Sequence, residues 1–187
     1  NSLLTRKGPF TQPANVDFGR LQGAGDLETD NHAVLDPGTR DVVFPLRVNP
    51  IMTGRGKPVY ADGARTLRGT GNFPHIGARR GVSDIEAIAR AGVDPYRNRD
   101  NDPDLRALIR RLLDSFLRGR TRDGCFASRV PSEAYSLDLS TALNPASVIR
   151  AGQLRGLVGL ATNTPAEFIW LEFARDDRAV EEELESN

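Results

Sequence analysis

Cysteine, histidine and lysine are nearly missing from this chain of 187 residues, and each scarcity closes off a class of chemistry. A single cysteine, Cys125, excludes an intramolecular disulfide framework and fits a reducing compartment or indifference to redox state. His32 and His75 are the only histidines, lie far apart, and have no HExxH motif around them, so no metal site follows from local spacing. No apolar run approaches the roughly 20 residues that span a bilayer, so no membrane insertion is expected. Neither sign of charge is in excess: Lys+Arg and Asp+Glu both number 25, leaving no net field to draw the chain to nucleic acid or anionic lipid. Only Lys7 and Lys57 are lysines, so arginine carries nearly all the positive charge, which favours planar, multidentate contacts with other proteins. The sequence opens at Asn1, with no initiator methionine and no signal-peptide pattern, and is expected to be part of a longer chain.

What is present suggests one ordinary domain. Hydrophobic residues make up 39% and aromatics 6%, enough for a single core that buries roughly 70% of the unfolded surface. Residues 1 to 75 are rich in Gly, Pro, Asn and Asp, and their apolar stretches are short. Val42-Val43-Phe44, cut off by Pro45 and Pro50, is one of them, so this half reads as loops and short strands. Ser83-Asp84-Ile85-Glu86 has the form of a capping box and predicts a helix start, with Gly92 and Pro95 as the stop. The clearest helix is predicted over 103–117. Leu105, Leu108, Ile109, Leu112, Leu113 and Phe116 share one face, with Asp102 as cap and Pro103 in the first turn. Arg106, Arg110, Arg111 and Arg118 then form a basic outer face.

Strands are predicted beyond it. Tyr135, Leu137 and Leu139 alternate with Ser136, Asp138 and Ser140. Residues 154–160 and 168–173 are further candidates, separated by the turn-prone Asn163-Thr164-Pro165. Phe168, Ile169, Trp170, Leu171 and Phe173 put apolar groups on both faces and call for cover from both sides. The fold class expected is α/β (α+β), a mixed β-sheet flanked by helices. A domain over 1–174 is followed by an acidic, solvated tail over 175–187.

The motifs that suggest chemistry are weak. Gly54-Arg55-Gly56-Lys57 lacks the upstream Gly and the following Ser or Thr of a phosphate loop, and reads as a turn; Gly19, Gly23 and Gly25 form no better fingerprint. Asp26, Glu28 and Asp30, like Asp100, Asp102 and Asp104, alternate as calcium ligands do but lack the Gly and Glu of an EF-hand loop. No Gly-x-Ser-x-Gly is present, and Cys125 follows a Gly in an expected turn after a helix. The basic helix face lacks the interleaved aromatics of single-strand binders. No catalytic, cofactor-binding or metal-binding residue is assigned, no cofactor is expected, and the chain is read as a structural protein that packs against copies of itself.

Several segments, read in order, resemble the C-terminal domain of contractile tail sheath proteins, the family shared by myophage tails, R-type pyocins and extracellular contractile injection systems. Gly8-Pro9-Phe10 with Pro13-Ala14-Asn15 is similar to its "G-v-w-x-x-P-A-N" segment, and Val48-Asn49-Pro50-Ile51 to its "v-N-p-I-r". Gly63-Ala64-Arg65-Thr66-Leu67 resembles the end of the "G-r-G…W-G-A-R-T-L" signature. Arg79-Arg80, Asn101-Asp102, Asn144-Pro145 and Gly152 fall in matching order, and Pro165-Ala166-Glu167-Phe168-Ile169 resembles the closing "P-A-E-F-I". Asp62 stands where the signature usually has Trp, Met52 where Arg is customary, and Gly81 where Leu follows the Arg pair.

The resemblance implies a subunit that stacks as hexameric rings in a helical array around an inner tube and contracts to drive that tube through a target envelope. Implied partners are identical subunits, the inner tail tube protein, and baseplate and terminator proteins, in a virion tail or a cytoplasmically assembled contractile particle. Extended terminal arms would join neighbours by strand exchange, with Phe168 to Phe173 as the inter-subunit strand. The basic face of Arg106, Arg110, Arg111 and Arg118 would meet the tube. A tail terminator or adaptor, and a stand-alone α/β enzyme built around His32 or His75, are the rival readings.

Overall fold

The computed structural model describes residues 5–22, 37–52, 58–68 and 73–169. In chain order these form a 3-10 turn (Gly8–Phe10), α1 (Asn15–Phe18), and α2 (Pro37–Val43) running into a second 3-10 turn (Phe44–Leu46). Then come β1 (Ile51–Met52), β2 (Tyr60–Ala61), α3 (Ile76–Val93), α4 (Pro103–Arg122), α5 (Pro131–Ala134), β3 (Tyr135–Asp138), α6 (Ala146–Arg150) and β4 (Leu157–Leu160). Helix and strand are both present, as expected, and the strands form two separate antiparallel pairs, β1 with β2 and β3 with β4. Among the described residues no helix is long and apolar enough to cross a membrane.

Helix α4 follows from its sequence. Asp102 Oδ1 accepts the Leu105 amide at 2.7 Å, a cap worth about 1 kcal/mol, and Pro103 occupies the first turn. Leu105, Ile109, Leu113, Leu117 and Thr121 are its buried stripe. The helix runs a turn beyond the predicted end, because Thr121 sits buried with its hydroxyl donating to the Leu117 carbonyl at 2.8 Å. It stops at Gly124, whose φ of 78° suits glycine.

Helix α3 corrects the expectation of a start at Ser83. It begins at Ile76, since distant groups satisfy its first amides. Ile76 N–H donates to the Ala64 carbonyl at 2.7 Å and Gly77 N–H to Gln12 Oε1 at 2.9 Å. Ser83-Asp84-Ile85-Glu86 is therefore mid-helix, while the end at Val93 agrees with the predicted stop. The segment around Phe10 lies directly on this helix. A Cβ at Gly81 would stand 2.4 Å from the Phe10 ring, and one at Gly77 would stand 2.7 Å from the Phe10 carbonyl oxygen. Gly81 thus makes room for Phe10, whose ring meets Phe126 edge-on at 5.6 Å.

A second correction concerns Val42-Val43-Phe44, which is helical and not a strand. Burial of the Phe44 ring, only 1% exposed, and the tertiary contacts of Arg40 hold this stretch in a helix against its β-branched pair. The strands predicted around Tyr135 and in 154–160 do pair, with Tyr135 opposite Leu160 and Asp138 opposite Leu157. Two hydrophobic clusters share α4. Phe10, Ile85, Leu117, Cys125, Phe126 and Ala134 form one, and Leu105, Ile109, Leu113 and Leu139 the other.

Gly81→Ala is expected to lower stability by about 1–3 kcal/mol through overpacking against Phe10, read as a lower urea midpoint. Pairing it with Phe10→Leu, which shortens the opposing side chain, is expected to cost less than the sum of the two single changes.

Candidate functional site

Three segments distant in sequence converge beside the N-terminus of α3. Asn49 brackets the backbone of Arg65: its Oδ1 accepts the Arg65 amide and its Nδ2 donates to the Arg65 carbonyl, both at 2.8 Å. Gly63 is needed for this approach, since a Cβ there would lie 2.6 Å from Asn49 Oδ1 and 2.9 Å from the Phe44 ring. Held in that way, the Arg65 guanidinium faces Glu167 with two nitrogens. Nε donates at 2.9 and 3.1 Å to the two carboxylate oxygens and Nη2 donates to Oε2 at 2.5 Å. Its third nitrogen, Nη1, donates to the Phe44 carbonyl at 2.9 Å, and the guanidinium lies 4.4 Å from the Phe44 ring centroid. This planar, multidentate fit is one that lysine cannot copy.

Arg40 on α2 closes the other side. Its Nε donates to Asp62 Oδ2 at 2.7 Å and its Nη2 to the Glu167 carbonyl at 3.1 Å, while its guanidinium lies over both Phe44 and Phe168 at 4.4 and 5.0 Å. Phe168 meets Phe44 edge-on at 5.8 Å. The chain is therefore pinned at Glu167 and Phe168 just before it leaves the described residues. Asp62, which stands where the resembling signature has Trp, is the ion-pair partner of Arg40.

His75, preceding α3, is buried with its Nδ1 unbonded, 3.6 Å from Glu167 Oε1. Burial pushes its proton affinity below the ordinary histidine range, against the pull of the Glu167 charge. The Arg65 hydrogen bonds hold Glu167 below the usual carboxylate range, against the opposing effect of burial. Arg65 and Glu167 are about four-fifths buried, so the pair ties the chain's two halves together across a gap in sequence. Among the described residues no cluster of His, Cys, Asp or Glu is placed to hold a metal ion. Cys125 is fully buried, which raises its pKa and keeps it a thiol.

Searches of protein-family models and of curated proteins find no match to the chain. Solved structures do resemble it. A chain of the anti-feeding prophage (AFP) baseplate, 6-fold symmetrised, matches with a TM-score of 0.78 and 24% identity over 90% of this chain. A chain of the PVC sheath complex of an extracellular contractile injection system, in the contracted state, matches with 0.78 and 24% over 91%. One of the AFP helical sheath in the contracted state gives 0.76 and 24% over 90%. The fold is that of contractile-sheath assemblies. The resemblance drawn from the signature segments agrees with it, and this chain spans about half the length of those chains, 46% to 47%.

Within this sheath fold the signature residues separate into two groups. Asn49, Pro50, Gly63, Ala64, Arg65, Thr66 and Glu167 lie in or beside the clasp: the Pro50 carbonyl accepts from Asp62, Ala64 caps α3, and Thr66 N–H donates to the Pro74 carbonyl. Pro165 and Ala166 lead into Glu167, whereas Leu67 is exposed. Pro13, Ala14 and Asn15 lie elsewhere, at α1, where Asn15 Oδ1 accepts the amides of Asp17 and Phe18. Sequence reasoning did not single out Arg40, and no local pattern marks a residue whose partners are Asp62 and Glu167.

On α4, Arg110 and Arg111 are exposed, and Arg118 pairs with Asp114 at 2.7 Å. Asp114 also accepts the Tyr135 hydroxyl at 2.6 Å, and Tyr135 is pushed up to about 12, by burial first and this bond second. Arg106 is half-buried and donates to Asn101. Ile169 is exposed and lies outside any strand, and Trp170, Leu171 and Phe173 lie outside the described residues, as do His32, Gly23, Gly25, Asp26, Glu28, Asp30 and the Gly54-Arg55-Gly56-Lys57 turn.

Glu167→Gln is expected to destabilise the protein by about 3 kcal/mol, since it leaves Arg65 partly buried without its counter-charge; thermal unfolding measures this. Stability is also expected to fall in two stages on acidification. His75, with its folded pKa depressed, contributes fully above about 6.5 and loses its share as pH drops through its lower folded value. Glu167, also depressed, contributes fully above about 4.5 and loses its share at lower pH. Urea unfolding across pH should show the upper stage disappear in His75→Phe and the lower one in Glu167→Gln.

Proposed function

We propose that the chain is a structural, non-enzymatic subunit of a contractile sheath. It polymerises with identical subunits as stacked hexameric rings around an inner tube and contracts to drive the tube through a target envelope. The observation that carries this is the sheath fold over about nine-tenths of the chain, built around a clasp formed by the segments that resemble the family's signatures. Contacts of this kind are heterologous and extend into open helical arrays. The particle would be a virion tail or a cytoplasmically assembled contractile particle, with baseplate and terminator proteins at the sheath's ends.

Strand exchange fits what the structure leaves uncovered. Among the described residues the β3–β4 pair has only two strands, and Leu157 and Val158 on β4 are exposed. Val158 and Leu160 of β4 border apolar grooves shared with α3 and α4. An added strand from a neighbour would use the free backbone groups of this edge and cover the groove. Phe168 is engaged by its own body, so the exchanging strand starts at Ile169 and carries Trp170, Leu171 and Phe173. The arginine face of α4, through Arg106, Arg110, Arg111 and Arg118, would contact the inner tube.

Negative-stain microscopy of the full-length protein with its cognate inner tube protein is expected to show long tubes of constant helical pitch. Small closed rings would instead indicate a terminator or adaptor. A dispersed monomer whose activity depends on His75 would indicate an enzyme. Replacing Arg110 and Arg111 with Glu is expected to reduce co-sedimentation of sheath with tube, and unchanged recovery would remove the tube-facing assignment.

A further inference from the structure

The clasp releases the chain beside a groove that its remaining residues are long enough to follow. Arg65 holds Glu167 next to His75, at the N-terminus of α3, with Phe168 packed on Phe44. From there a groove between α3, α4 and β4 runs toward the C-terminus of α3. Its first stretch is lined by Val82, Ile85, Phe116, Leu117 and Leu160, and its charged residues are Glu86 and Arg90. Further along it spans about 470 Å³ over a floor of Leu105, Ile109, Leu113 and Val158. Among the described residues the charged lining of this far end is Arg90, Arg97 and Arg99, with no carboxylate. Arg97 has a solvent-exposed partner, Asp94, at 2.7 Å, and Arg99 lies 5.7 Å from the Tyr96 ring. Asp100, Asp102 and Asp104 open onto a separate depression beyond Arg99.

Residues 169–187 carry the same order of chemistry. Ile169, Trp170, Leu171 and Phe173 come first, and Asp176, Asp177, Glu181, Glu182, Glu183 and Glu185 follow, against only Arg175 and Arg178. We propose that in the unassembled subunit this segment lies in its own chain's groove, its acidic end against Arg90, Arg97 and Arg99, and closes the groove to neighbouring copies until assembly. The pin at Glu167 fixes the direction of travel. From Ile76 to Arg90 is about 21 Å of helix at 1.5 Å per residue. From Phe168 to Asp176 is about 26 Å of extended chain at 3.3 Å per residue. The apolar residues therefore pass the apolar stretch, and the acidic ones arrive where the arginines are, opposite charge against opposite charge. A tether of this length presents the segment to the groove at an effective concentration on the order of millimolar, well above that of a dilute second copy. The proposal rests on the sheath reading, in which a neighbour's segment takes the same place, and adds a resting state to it. Exchange then costs little, because an identical segment restores the contacts that the chain's own segment gives up.

The test uses the full chain with Arg97→Cys and Glu182→Cys in the same copy, Cys125 being buried and out of reach. Light and isotopically heavy protein are mixed at low concentration, oxidised mildly and read by mass spectrometry. The expected result is a disulfide within one chain, free of light–heavy pairs, in a yield independent of concentration and greater than with Glu86→Cys in place of Arg97→Cys. Light–heavy links that rise with concentration, or a yield no greater than that of the Glu86→Cys control, overturn the self-docking. Trypsin gives a second reading without new cysteines, because Arg175 and Arg178 lie in the segment. Changing Arg90, Arg97 and Arg99 to Glu is expected to speed cleavage at those two sites on the order of tenfold at low salt, with Glu181, Glu182 and Glu183 changed to Lys reversing the effect. Unchanged cleavage, or failure of that reversal, overturns the arginine anchor. The closed disulfide is expected to stop tube growth on the inner tube protein, and reductant to restore it; growth at the same rate in both states overturns the closing role. Tubes from a protein that shows no such link remove the proposal and leave the sheath reading. A link in a protein that builds no tubes when reduced does the reverse, and the absence of both removes both.

Discussion

The grip of Arg65 on Glu167 organises much of what surrounds it. Two charged groups about four-fifths removed from water are costly unless each finds its hydrogen bonds. Here the arginine spends three nitrogens on Glu167 and the Phe44 carbonyl. Asn49 fixes the arginine's backbone, Gly63 lets Asn49 approach, and Phe44 supplies an aromatic face under two guanidinium groups. Among the described residues ahead of α3, regular structure is confined to short helices and the two-residue strands β1 and β2. These residues are held in place by their hydrogen bonds and ion pairs to α3 and to the closing segment.

Legibility in the sequence depended on the range of the interactions. Helix α4 was readable because its signals are local: Asp102 caps it, Pro103 opens it and apolar residues recur on one face. The β3–β4 pair was readable from alternation at Tyr135, Leu137 and Leu139. The start of α3 was misplaced because Gln12 and Ala64 satisfy its first amides, and no local pattern reveals partners so distant. Val42-Val43-Phe44 was misread for the same reason, since its helix depends on the partners of Arg40 and the burial of Phe44.

The candidate site shows both sides of this. Arg65 and Glu167 were singled out only as members of two signature segments, and spacing alone gives no reason for residues so far apart to meet. Arg40 and Phe44 complete the arrangement without carrying a recognisable motif. Gly81, which stands where the resembling sheath segment has Leu, becomes intelligible beside Phe10, because the Phe10 ring occupies the space a side chain there would need.

Helix α4 is about 30 Å of continuous helix at 1.5 Å per residue, and its two ends are embedded in different apolar clusters. One cluster grips the N-terminal segment through Phe10, and the other forms the floor beside β4. The two regions are thus joined by one continuous helix, with no loop between them to take up a relative shift.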